Sequence, residues 1–210
     1  MGGTKILLTG FGPFPGVETN PTGAVIDDCL ARVAARDPRP YEVSGHVLPT
    51  EFAGAGRGIR ALIGRVEPDA VLMLGVAAAR GELGLERFAL NIDDAATPDA
   101  AGLVASGAPI EPDGPAAYTS TLPLRRIKEA LDKAQIPAAF SNHAGTYVCN
   151  HVFYTAAHAL DSAGREIPCG FVHIPVPSDS GGTGGPGMTA ARIADGIAAV
   201  LDGLGGEPPL

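Results

Sequence analysis

The stretch KILLTGFGPF, residues 5–14, decides the fold class. Its first half, Lys5 to Thr9, is an apolar run rich in Leu and β-branched residues that stops at a glycine-rich turn, the form of a strand buried in a parallel sheet. The alternation continues downstream. Asn20 to Ala35 reads as a helix and Tyr41 to Leu48 as a strand, while Gly54 to Val66 carries Ile59, Leu62, Ile63 and Val66 at helical spacing. Ala70 to Leu74 is a further buried strand. A β-α-β-α-β order predicts an α/β fold: a single domain over 1–210 on an open, mostly parallel twisted sheet with helices on both faces. Its ligand crevice would lie beyond the carboxyl ends of the strands.

The second half of the chain is less regular. Leu83 to Ile92 alternates, Asp93 to Asp113 reads as loop, Leu122 to Gln135 as an amphipathic helix and Ala138 to Ser141 as a brief strand. Tyr147 to Leu160 reads as a helix, Cys169 to Ile174 as a strand, and Met188 to Leu204 as a closing helix with Ile193, Ile197, Val200, Leu201 and Leu204 on one face. No internal repeat is present. SDSGGTGGPG, residues 178–187, reads as a flexible loop, with a mobile lid as the alternative.

Composition narrows the function. Fifteen basic against 23 acidic residues give a formal charge of −8, and no basic cluster exceeds the pair Arg125 and Arg126, which argues against nucleic acid as a partner. No segment approaches the ~20 apolar residues of a membrane span and none has signal-peptide form, so no membrane partner and a cytoplasmic location are expected. Cys29, Cys149 and Cys169 show neither CxxC spacing nor a disulfide framework. They suit a reducing compartment, and no structural metal is expected.

Cys149 is the candidate nucleophile. It stands at the start of the helix beginning near Tyr147, where unpaired backbone N–H groups and the positive end of the helix dipole favour a thiolate and offer a place for an oxyanion. The competing reading is a buried, inert cysteine. A cysteine nucleophile needs a base, and five histidines are available. His151 follows Cys149 by two residues and points away on a helix, and His158 lies more than two turns on. His173, at the end of the strand Cys169 to Ile174, falls at the crevice edge and is the best base; a hydrogen-bonded core histidine is the alternative. Glu86 is the candidate to orient it, because it shares a strand face with Phe88 and Leu90 where a solvated carboxylate fits poorly. Glu82, Asp93 and Asp94 remain open.

Taken together, KILLTGFGPF with NPTGA, LPTEF, GVAAARGELGLERFALNIDDA, AGTYVCN and GFVHIP resemble the pyroglutamyl peptidase I (pyrrolidone-carboxylate peptidase) family of cysteine peptidases over nearly the whole chain. The resemblance implies a phosphorylase/hydrolase-like fold and a triad of Glu86, Cys149 and His173. It also implies removal of an N-terminal pyroglutamyl residue through a thioester, without a cofactor. Phe11 and Phe14 would sandwich the lactam ring, with Asn20, Thr50, Tyr147 and Val148 nearby. The partners implied are peptides with N-terminal pyroglutamate and further copies of the chain in a homodimer or homotetramer.

The chain departs from the family pattern at four places. Ala96 stands where the resemblance leads one to expect an arginine beside the oxyanion, Thr97 where an apolar residue is usual, Val76 where Gln is frequent and Gly84 where Ser or Thr is usual. A slow enzyme is therefore expected. One alternative is a silent homologue that binds a small cyclic amide or peptide N-terminus; another is a nucleoside phosphorylase, which needs an anion cradle that GFGPF does not provide.

Overall fold

The computed structural model describes residues 3–13, 19–36, 41–180 and 187–205. Phe14, and residues 181–186 of the Gly-rich segment, fall outside these. The elements follow in the order β1 (Thr4–Phe11), α1 (Pro21–Ala34), β2 (Tyr41–Leu48), α2 (Phe52–Val66), β3 (Ala70–Val76), β4 (Leu83–Leu90), β5 (Asp93–Ala95), β6 (Ala105–Ala108), β7 (Ala117–Thr119), α3 (Leu124–Lys133), β8 (Ala138–His143), α4 (Val148–Ser162), β9 (Cys169–Ile174) and α5 (Ala190–Gly205). Among the described residues, seven strands form one sheet in the order β2-β1-β3-β9-β4-β7, with β8 also on β4. The β1–β2, β1–β3, β3–β9 and β4–β8 pairs are parallel. Strand β4 runs antiparallel to β9 and β7. The expected α/β class with a mostly parallel sheet is what the chain adopts.

Strand alternation sorts the core into two layers. Ile6, Leu8, Leu72, Leu74, Leu85, Val172 and Ile174 pack with α1, α3 and α5 on one face. Leu7, Val71, Met73 and Phe171 pack with α2 and α4 on the other. Successive side chains of a strand point to opposite faces, so His173, two residues after Phe171, must face the α2/α4 layer. Glu86, next to Leu85, faces the same way. Burial of both strand faces explains why β1, β3 and β9 read as continuous apolar runs.

The segment 93–113 is not simply loop. β5 and β6 form a two-stranded antiparallel ribbon with a register irregularity at Asp93 and Asp94. These strands are short and built from DDA and ASGA, so no apolar alternation marks them. Hydrogen bonds between Asp94 and Thr146 hold β5, and β5 holds β6. Helix α2 also begins two residues earlier than its apolar spacing suggests. Asp99, 47 residues away, accepts the Phe52 N–H at 3.0 Å and so caps it from outside, while Glu51 at the N-cap position makes no side-chain bond.

Asn150 locks α4 to the end of β4. It is fully buried, donates from Nδ2 to the carbonyls of Leu90 at 2.9 Å and Ile92 at 3.1 Å, and accepts the Leu90 N–H at 2.8 Å. Asn150→Ala would leave buried backbone groups unpaired beside a cavity. It is expected to lower unfolding stability by about 2–4 kcal/mol. A urea midpoint close to that of the unsubstituted protein would contradict the lock.

Candidate active site

Helix α4 begins with Tyr147 as its N-cap, which places Cys149 in the first turn. The sulfur lies over the backbone of β3: a Cβ added at Gly75 would stand 2.7 Å from Cys149 Sγ. Gly75 is the register partner of His173 on β9, and on its other side His173 pairs with Gly84 of β4. The imidazole therefore rises from the sheet between two glycines. His173 Nδ1 meets Glu86 Oε1 at 2.7 Å, with the imidazole nearly buried and the carboxylate fully so. Phe171 supports the imidazole from below, ring centroids 4.8 Å apart. Cys149 and His173 make no hydrogen bond to each other in this structure. Such contacts commonly tighten only when substrate binds.

With Nδ1 donating to Glu86, a neutral His173 carries its free lone pair on Nε2. The thiol beside it is not the ready thiolate that its helix position suggests. Burial pushes Cys149 up to about 12, the Glu86 charge adds to the effect, and backbone N–H donation at the helix start opposes them as the smallest cause. The helix terminus was legible in sequence; the desolvation and the carboxylate were not, because both come from tertiary packing.

Cys149 opens onto a cavity of about 350 Å³ bounded by Asn20, Thr50, Val76, the 94–97 segment and Tyr147. Three of the expected binding residues thus line it, namely Asn20, Thr50 and Tyr147. Phe11 and Val148 are buried beneath in the α2/α4 core. The polar groups of Asn20 and Thr50 are already engaged. Thr50 Oγ1 and Asn20 Nδ2 both donate to the Gly12 carbonyl, at 2.8 and 3.2 Å, and Asn20 Oδ1 accepts the Thr22 N–H at the start of α1. They hold the turn after β1 against the cavity. The larger hollow of about 490 Å³ near Tyr118 and Arg165 lies elsewhere and takes in none of these groups.

The far wall is clasped to the helix that carries the thiol. Asp94 donates its N–H to the Thr146 carbonyl, Tyr147 donates its hydroxyl to the Pro98 carbonyl, and the Ala100 N–H reaches the Thr50 carbonyl. Asp99, buried at 2% exposure, accepts the N–H groups of Ala101 and Leu103 as well as that of Phe52. Sequence reasoning missed Asp99, Asn150, Arg80 and Ser141. Arg80 donates to Glu86 Oε1 and to Ser141 Oγ, both at 3.0 Å. Of the rival carboxylates, Asp93 is taken by His151 at 2.8 Å. Asp94 lines the cavity.

A buried Glu–His pair beside a thiol at a helix start is an arrangement for acyl transfer. The Pyroglutamyl peptidase family model matches residues 4–204. The chain belongs to this family. It is 38% identical over 205 residues to the pyrrolidone-carboxylate peptidase of Bacillus licheniformis, covering 96% of this chain and 94% of that protein. It is 39% identical to the Streptomyces coelicolor pyrrolidone-carboxylate peptidase, with 94% and 90% covered. Among solved structures, Bacillus amyloliquefaciens pyroglutamyl peptidase I superposes with a TM-score of 0.88 at 32% identity, covering 96% of this chain and 97% of that one. A mutant pyrrolidone carboxyl peptidase from the hyperthermophile Pyrococcus furiosus gives 0.88 at 31% identity, with 96% and 98% covered.

Cys29 and Cys169 are buried while Cys149 is half-buried. Iodoacetamide is expected to modify Cys149 ahead of the other two. Because its thiol lies far above neutral pH, the rate should climb as pH is raised from 7 toward 9. Equal labelling of all three in the folded protein would contradict the assignment.

Proposed function

We propose that this protein is a cysteine exopeptidase that removes an N-terminal pyroglutamyl residue from peptides. The observation that carries the reading is the Glu86–His173 hydrogen bond set beside Cys149 at the mouth of a small cavity, in a chain of this family. Pyroglutamate is a small neutral lactam with no free α-amine, so a cavity with engaged polar groups and short side chains suits it. His173 Nε2 takes the Cys149 proton as the sulfur attacks the pyroglutamyl carbonyl. The tetrahedral intermediate collapses, His173 protonates the departing amine, and a thioester remains. Water, giving its proton to His173, then attacks the thioester; pyroglutamate leaves and the thiol is restored. Glu86 fixes the imidazole tautomer and stabilises the imidazolium in both halves. Phe14 as a ring wall, Phe11 and Val148 packed in the core behind the cavity, a homodimer or homotetramer, and a cytoplasmic location complete the reading. Among the described residues no helix is long and apolar enough to cross a membrane.

A chromogenic pyroglutamyl amide tests it. Cys149→Ala is expected to abolish cleavage with the fold retained, and His173→Ala to lower turnover more than Glu86→Gln, since an orienting group contributes less than the base it orients. Full activity in Cys149→Ala would remove the mechanism.

Neither Lys nor Arg is among the described residues lining the cavity; Ala96 stands there, with Asp94 close by. The oxyanion is left to backbone N–H groups at the start of α4. Loss of one oxyanion donor typically costs on the order of 10²- to 10³-fold in turnover. The protein is therefore expected to be slow, with kcat lowered more than KM is raised, because the missing interaction belongs to the transition state. Ala96→Arg should raise kcat. Unsubstituted turnover equal to that of arginine-bearing relatives would refute this, and a folded protein with reduced Cys149 that forms no thioester would favour the silent binder.

A further inference from the structure

We infer that Arg80 is a positioning residue for the reaction, holding Glu86 on His173 and screening the carboxylate charge, and that Gly84 exists in this chain to let it do so. The inference rests on the triad reading above. Arg80 Nη1 and His173 Nδ1 converge on one oxygen, Glu86 Oε1, at 3.0 and 2.7 Å. The other oxygen, Oε2, is buried without a partner among the described residues. Two donors from opposite sides thus fix the carboxylate through a single atom. The guanidinium is itself held, because Nη2 donates to Ser141 Oγ on β8. Arg80 bridges two adjacent strands and spans the fully buried Glu86 to solvent, its own side chain 37% exposed.

Gly84 supplies the space. A Cβ at position 84 would stand 2.1 Å from Arg80 Nη1 and 3.3 Å from Glu86 Oε1. A side chain there would force the guanidinium to shift, and it can shift because the crowded atom is the far end of a flexible chain.

The ionisable groups that face Glu86 come from three sides: His173 from β9, Arg80 from the turn after β3, and Cys149 from α4. Glu86 is one of the causes that raise the Cys149 thiol. A guanidinium on the same carboxylate offsets that charge. Without it, the full carboxylate charge would bear on the sulfur, so the thiolate would need a higher pH to form.

The test uses three full-length variants, Arg80→Met, Arg80→Lys and Gly84→Ala, and two readouts. One is the pH profile of kcat/KM on a pyroglutamyl amide; the other is the pH dependence of Cys149 alkylation by iodoacetamide, which needs no turnover. Arg80→Met is expected to move the acid limb and the labelling curve upward by about one pH unit. Gly84→Ala, with Arg80 present but displaced, should do the same, and Arg80→Lys should recover part of the shift. Loss of rate in Arg80→Met with both curves unmoved would overturn the inference, since a merely structural role lowers rate without shifting them. So would a Gly84→Ala protein indistinguishable from the parent. If the parent cleaves no pyroglutamyl amide while the labelling curves shift as described, the substrate reading fails and the role of Arg80 stands.

Discussion

The structure is organised around one buried charge. Glu86 has no exposed surface, and an isolated carboxylate in such a place is expensive unless partners supply hydrogen bonds and opposite charge. Much of the local architecture answers that demand. β4 runs against the direction of β9, which brings Glu86 beside His173 rather than to a far end of the sheet. Two glycines flank the imidazole in register, one leaving room for the cysteine sulfur and one for the guanidinium. Residues at β8 and in the turn after β3 then close the arrangement through Ser141 and Arg80.

In the proposed reaction, the same charge couples Cys149 to His173. A thiol raised to about 12 is a poor nucleophile by itself at neutral pH, since only the thiolate attacks. The helix start is too weak to reverse burial. In the proposed reaction the thiolate is generated by proton transfer to His173, whose Nδ1 is held by Glu86. Glu86 works against the thiolate while its hydrogen bond fixes the proposed base, and the balance depends on how much of its charge is screened.

Most of the fold was legible because it rests on local rules. Strands such as Lys5 to Thr9 and Cys169 to Ile174 are buried on both faces, and their composition says so. Helices α1 and α5 follow apolar periodicity to within two residues of their ends. The ribbon β5–β6 and the strand β7 escaped because their residues are small or polar and their partners are distant: Thr146 for Asp94, and the end of β4 for β7. The candidates Cys149 and His173 followed from a helix start and a strand end, and Glu86 from the apolar strand face it shares with Phe88 and Leu90. Arg80 and Ser141 did not, since nothing in the spacing of residues 80, 86 and 141 says that three side chains meet across adjacent strands. Phe11 shows the opposite difficulty: an aromatic after a buried strand fits core packing and a cavity wall equally well, and it is packed in the core here.

The wall of the cavity is held almost wholly through backbone groups. Thr146, Tyr147 and Thr50 bind the 94–100 segment by its N–H and C=O groups, and Asp99 gathers three N–H groups at its base. Side chains at 76, 96 and 97 line the same space without carrying any of these bonds. A wall built in this way keeps its shape when its side chains change. Val76, Ala96 and Thr97 alter what the cavity offers a substrate while leaving its frame intact, whereas a change at Asp99 or Tyr147 would move the frame itself. Chemistry at this site can therefore vary independently of fold, and positions 76, 96 and 97 are places where the structure tolerates such change.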